Sequence, residues 1–273
     1  MTSKKITVLG PWSRELMRAS AGLSPTNLPR ANSMSWPWPW PWPWPWPWPW
    51  RRHLLDALQT EVEGQYGVQV RALALDLTEP VAISAVDKAT QDLEIGLVVP
   101  AAGMAVASEF TATPPERNTA MADLNMIAPM QLAQLFASKM VKRRRGGVLL
   151  VSSLFGYQGI PYVANYAATK AYILTLGEAL HVELGKHGID VSVLSPGLTD
   201  TDMPTNLPLD FSKLPMLYQS PQQVAKTSVE ALGRKPTVVS GWTNKFYAWQ
   251  NRLIPRSMPV SLFGFLIKRA FKN

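Results

Sequence analysis

Hydrophobic positions along this 273-residue chain fall into two alternating patterns. Short, nearly continuous apolar runs occur at Lys5–Leu9, Val68–Leu75, Ile95–Val99, Gly147–Ser153, Ile189–Leu194 and Thr237–Ser240. Runs of that length, rich in Val, Ile and Leu, predict strands buried on both faces. Between them lie longer segments with helical spacing, at Arg51–Tyr66, Glu79–Asp92, Asn118–Lys142, Tyr166–Leu184 and Pro221–Gly233. Strand and helix in alternation is the order a parallel α/β sheet requires, with a helix crossing between successive strands.

Residues 10–50 break the alternation. Pro25 and Pro29 would interrupt a helix, and Pro37 to Trp50 reads Pro-Trp seven times. Proline cannot donate to a ladder, so this run predicts an extended polyproline II rod where a second strand belongs. Two origins fit it. One is a low-complexity insertion that displays tryptophans. The other is a shifted reading frame: CCN-TGG codons read from the third base give Leu, Val or Met alternating with Ala, an apolar strand.

Candidate chemistry sits late in the chain. Tyr166 and Lys170 stand four apart, and Ser153 lies thirteen residues upstream at the end of a predicted strand. One helical turn places phenol and ammonium on one face. A nearby ammonium favours the phenolate and would lower a tyrosine pKa toward the range useful for acid/base work. A serine on the preceding loop could hold a substrate oxygen. The trio points to carbonyl/alcohol redox chemistry.

On these residues the chain resembles the short-chain dehydrogenase/reductases. Asp76 in Leu-Ala-Leu-Asp-Leu, Pro100-Ala-Ala102-Gly103, Asn125 in Asp-Leu-Asn-Met and Pro196-Gly197-Leu-Thr199-Asp-Thr201 occur in that family's order. The resemblance implies a Rossmann-like doubly wound parallel sheet, with its first helix and second strand disrupted over residues 10–50. It further implies a catalytic set of Ser153, Tyr166, Lys170 and Asn125, the last anchoring a proton-relay water. Asp76 would contact adenine, Ala102 and Gly103 would flank the cofactor, and Pro196, Gly197, Thr199 and Thr201 would hold the carboxamide. Tyr166 and Lys170 would touch the nicotinamide ribose. Against the family's Thr-Gly-x-x-x-Gly-x-Gly turn, Met17–Ser24 keeps Gly22 but has Arg18 and Ser24 in place of the other glycines. Arg51 or Arg52 near the adenine ribose suggests NADP(H) over NAD(H). The expected reaction is hydride transfer to or from a small, hydrophobic carbonyl or alcohol, by a homodimer or homotetramer. The alternative is a silent scaffold that binds no dinucleotide.

Composition narrows the alternatives. There is no cysteine, and the three histidines are scattered, so a metal-free site is the expectation. A net charge of +8 without a basic, aromatic-interleaved face does not predict nucleic-acid binding. No stretch approaches a membrane span, and no secretory signal is evident, which predicts a cytoplasmic protein. Residues 1–240 read as the sheet domain and 241–273 as a basic amphipathic extension. That extension is expected to pack over the cleft or a second subunit, in preference to a membrane surface.

Overall fold

The computed structural model describes residues 7–9, 48–205, 207–250, 253, 255 and 257–272. Among them five strands form one parallel sheet in sequence order: β1 Thr7–Leu9, β2 Leu97–Pro100, β3 Gly146–Val151, β4 Ile189–Ser195 and β5 Thr237–Val239. The helices are α1 Trp48–Tyr66, α2 Ala82–Ala89, α3 Pro115–Ala122, α4 Ala128–Arg143, α5 Ala164–Gly185, the short α6 Asp202–Thr205, α7 Pro221–Ala231, α8 Trp242–Gln250 and α9 Ser257–Ala270. This is the parallel α/β sheet that the alternation predicts and the Rossmann-like architecture that the resemblance implies.

The central strands are apolar on both faces because both are covered. Val148, Leu150, Val191 and Val193 pack with Leu132, Phe136, Met140 and Ile173 on one side. Leu149, Val151 and Leu194 pack with Val224 and Ala225 on the other. Helix α5 lies so close to β4 that a side chain at Gly177 would run into Val193. Burial of these apolar surfaces, at about 25 cal/mol per Å², is what holds the layers together.

One strand expectation fails. Residues 68–75 form no ladder among the described residues, although Leu73 and Leu75 still pack against the main core. A strand exists only through hydrogen bonds to a neighbour, and apolar content cannot supply that neighbour. Instead Val68 and Val70 join Leu58, Val62 and Tyr66 in a small separate cluster under α1, and Val70 N donates to Glu63 Oε1 (2.8 Å). The polyproline expectation also fails at its end, because α1 begins at Trp48 and takes in residues 48–50. Proline is tolerated in a helix's first turn, where its missing N–H has no partner to lose. The rest of the Pro-Trp run, and Gly22, lie outside the described residues, as do the side chains of Arg51 and Arg52.

The long helix expected at 118–142 is three pieces end to end: α3, a π-helical turn Asp123–Ile127, and α4. Pro129 explains the break. It has no N–H to offer the carbonyl of Asn125, four residues earlier, and the ladder shifts so that Ala128 N reaches Asp123 O.

Candidate active site

Strands β2, β3 and β4 end together, and the cleft beyond their carboxyl ends is lined by residues that follow each one. Ala101 and Gly103 come after β2, Ser152, Ser153 and Phe155 after β3, and Pro196, Gly197, Thr199 and Thr201 after β4. Tyr166 and Lys170 enter from α5. Of the predicted site, Ser153, Tyr166, Lys170, Gly103, Pro196, Gly197, Thr199 and Thr201 thus meet at one cleft. Ala102 lies beside it, between Ala101 and Gly103, and Asn125 packs behind Gly103. Crevices outside the carboxyl ends of parallel strands are where such sheets bind ligands.

Ser153 is held in extended backbone and caps the 3₁₀ turn Leu154–Tyr157, its Oγ accepting from Phe155 N (3.2 Å). The same hydroxyl lies beside the Tyr166 phenol and acts to lower its pKa. Phe155 stacks edge-on against the Tyr166 ring, with centroids 6.5 Å apart. Lys170, one turn on, is buried, and its Nζ lies 5.8 Å from that ring's centroid and donates to Val151 O (3.1 Å).

The protonation picture corrects one expectation. Burial pushes the Tyr166 phenol above its ordinary pKa, and the neighbouring Ser153 hydroxyl only partly offsets that. The Lys170 ammonium donates to a backbone carbonyl and is itself desolvated. Burial brings Lys170 down to about 8. Desolvation at the bottom of the cleft penalises the phenolate and the ammonium alike.

Behind this front row lies a supporting network that spacing did not reveal. Asn125 is fully buried in the π turn. Its Oδ1 accepts from Met104 N, and its Nδ2 donates to Met104 O (both 2.9 Å) and to Thr169 Oγ1 (3.1 Å). Thr169 Oγ1 in turn donates to Tyr166 O (2.7 Å). Ser152 Oγ donates to Lys170 O (2.6 Å), which anchors α5 to the end of β3. Gly156 permits that approach: a Cβ there would lie 2.9 Å from the Lys170 carbonyl carbon and oxygen. Gly197 sits against the buried Asn244, whose Nδ2 donates to Ser240 O (2.7 Å), so a side chain at 197 would collide with it. A serine doublet and a Tyr-Ala-Ala-Thr-Lys run were visible signals for Ser152 and Thr169. For Asn244 there was none.

Asp76 stands apart from the cleft. Its Oδ1 accepts from Thr78 N (2.9 Å) and Thr78 Oγ1 (2.7 Å), closing a local turn.

The cleft suits the nicotinamide end of a dinucleotide on its own features. A Cβ at Gly103 would fall 3.1 Å from Asn125 Oδ1 and 3.6 Å from Lys170 Nζ, so the backbone there is bare toward the site. Hydroxyls of Thr199 and Thr201 and a buried ammonium border the same space. Among the described residues no His, Asp or Glu group could hold a metal ion.

Comparison with known proteins agrees. Residues 50–210 match the family model for short chain dehydrogenase. The chain is 29% identical over 217 residues to a 7beta-hydroxysteroid dehydrogenase of Clostridium sardiniense, covering 78% of this chain and 82% of that one. A solved structure concerned with 7beta-hydroxysteroid dehydrogenase stereoselectivity superposes with a TM-score of 0.71 at 26% identity, over 78% of this chain and 84% of its own. A short-chain dehydrogenase from Sphingobium yanoikuyae in complex with NADPH gives 0.64 at 26% identity, covering 73% and 79%. With the matched segment carrying the whole strand–helix frame around the cleft, the chain belongs to the short-chain dehydrogenase family and is an NAD(P)-dependent dehydrogenase or reductase.

Proposed function

We propose that the protein reduces the carbonyl of a bulky hydrophobic molecule with NADPH, using Ser153, Tyr166, Lys170 and Asn125. The observation that carries this reading is the make-up of the cleft. Its floor holds the Ser153 hydroxyl, the Tyr166 phenol and the Lys170 ammonium. Its outer wall is apolar, from Met203, Leu207, Leu209, Phe211 and Met216. The steroid named for the Clostridium sardiniense relative has the size and character such a wall would accept.

NADPH bound along the strand ends supplies the hydride. Gly103, Thr199 and Thr201 would hold its nicotinamide end, and Lys170 and Tyr166 its ribose. Pro196 and Gly197 would shape the carboxamide pocket, Ala102 would flank the cofactor, and Asp76 would lie toward adenine. Gly22, Arg51 and Arg52 would serve the phosphates. On the protein side, the Ser153 hydroxyl donates to the substrate oxygen and steadies the charge that gathers there. Tyr166 then gives that oxygen its proton. A phenol whose pKa is raised keeps its proton at neutral pH, which suits an acid in the reductive direction; alcohol oxidation should need higher pH. Asn125, whose carbonyl Pro129 cannot satisfy, would anchor the water that passes a proton inward from solvent. The long α3–α4 helix would pair two subunits. Residues 1–240 would act as one unit, with 241–273 appended.

The test is NADPH oxidation followed by absorbance with a panel of steroid and other bulky ketones. Turnover that Tyr166→Phe abolishes is expected. Steady turnover in that variant would end the assignment. One sequence feature favours a silent scaffold: Arg18 and Ser24 stand where the family's turn has glycines. Fluorescence titration separates the two readings, because a scaffold would show no NADPH binding by the folded protein. Tighter binding of NADPH than NADH, lost in Arg51→Ala/Arg52→Ala, is the expected sign of NADP(H) preference.

A further inference from the structure

From the outward faces of α8 and α9 and the charge of the chain around them, we infer that residues 231–273 attach the protein to an anionic lipid surface.

Helix α9 is apolar on the side that faces the protein and again on the side that faces away, and α8 is apolar on its outward side. Helix α9 buries Pro259, Phe263, Ile267 and Ala270. Phe263 and Ile267 belong to the apolar cluster that also holds Leu209 and Phe211 of the cleft wall. Its opposite face exposes Met258, Leu262 and Phe265, spaced i, i+4, i+7. Helix α8 buries Asn244 and Ala248 and exposes Trp242 (78%), Phe246 and Trp249 at the same spacing, with Leu253 one turn further. Tyr247 and Phe263 join the two helices edge-on, with centroids 6.4 Å apart. Tyr247 also donates through its hydroxyl to Pro215 O (3.1 Å), next to the exposed Leu217 and Tyr218. Two adjacent exposed apolar stripes of this kind are normally covered by something.

Charge says by what. After Glu230 the chain has no acidic residue, while Arg234, Lys235, Lys245, Arg252, Arg256, Lys268, Arg269 and Lys272 are all basic. These eight equal the net charge of +8, so residues 1–230, with nineteen basic and nineteen acidic side chains, are neutral. A second copy docking face to face would set one net basic segment against another. An anionic bilayer supplies the missing charge and accepts aromatic side chains at its headgroup level. No helix among the described residues is long and apolar enough to cross a membrane, so the helices lie on the surface. This placement reverses the packing expectation for the extension: its inner face does pack, and its outer face is left over.

The test is co-sedimentation of the full chain with vesicles. It should pellet with phosphatidylcholine vesicles that contain phosphatidylserine, remain in solution with phosphatidylcholine alone, and be released by high salt. Neutralising Lys245→Gln, Lys268→Gln and Arg269→Gln together should weaken partitioning by roughly a hundredfold, from about 1 kcal/mol per basic residue. The melting temperature and turnover should not change. Trp249→Ser with Phe265→Ser should also release the protein. No binding, or binding indifferent to lipid charge and salt, would overturn the inference. So would a dimer, seen by sedimentation equilibrium, that Phe265→Asp splits.

Discussion

The β3–β4 side of the sheet and the side around residues 68–76 place their side chains by different means. Between β3 and β4 six residue pairs run in register, from Gly146↔Ile189 to Val151↔Leu194. Lys170 is then fixed by its own bond to Val151 and by that of Ser152 to its carbonyl, and Asn125 by three bonds to two residues. On the other side β1 and β2 share three pairs, and among the described residues positions 68–75 have no ladder and Asp76 bonds only within its own turn. Groups proposed to move a proton are thus placed by contacts far apart in the chain, which a local change cannot easily shift. The residue proposed to contact adenine is placed by a neighbour two positions on. Catalytic geometry and cofactor choice should therefore respond to different kinds of substitution.

The largest effect should come from the well-braced side. Tyr166→Phe keeps the ring against Phe155 and removes the acid, and turnover should fall by about 10²–10⁴-fold, with melting unchanged. Next is a pH effect. Burial lowers Lys170 from 10.5 to about 8, so between those values the unfolded chain carries a proton that the folded one lacks. Stability therefore rises with pH from about 8 toward 10, by up to about 3 kcal/mol. Above 10.0 the raised Tyr166 acts in reverse, since the folded chain then keeps a proton that the unfolded one loses. Denaturant titrations at stepped pH should show the rise in the wild type and its loss in Lys170→Met.

Smaller changes probe the bracing. Gly156→Ala puts a methyl against the Lys170 backbone and should cost about 1–3 kcal/mol, read as a lowered melting temperature together with reduced turnover. Ser152→Ala removes one buried hydrogen bond and should cost about 1 kcal/mol. Its KM should be near normal and its kcat lower, because the lysine turn is less firmly placed. Asp76→Ala should have the least effect. It should cost at most about 1 kcal/mol of stability and raise the KM for NADPH a few-fold at constant kcat. An unchanged KM would confine Asp76 to its turn.

Much of this was legible in the chain. Four-residue spacing put Tyr166 and Lys170 on one face because helix geometry is local, and an apolar run ending in Ser152-Ser153 placed a hydroxyl at a strand tip for the same reason. Pro129 accounts for the irregular helix at Asn125, since a missing N–H acts on a known partner, although the spacing over 118–142 predicted one unbroken helix. Residues 68–75 misled because apolar character marks burial, and burial alone makes no strand. The π turn's bond from Asn125 to Thr169 joins residues 44 apart, and Asn244 meets Gly197 across a similar distance in sequence. No periodicity encodes such a meeting.

Alternating periods and the order of hydroxyl, phenol and amine were enough to name the layers, their sequence and the chemistry they could carry, for these follow from backbone geometry within a few residues. The direction in which Tyr166 titrates was not readable, nor was the second apolar face of α9, nor the network behind Lys170. Each depends on which surfaces lose water when distant segments close on one another, and that is known only once the chain is folded.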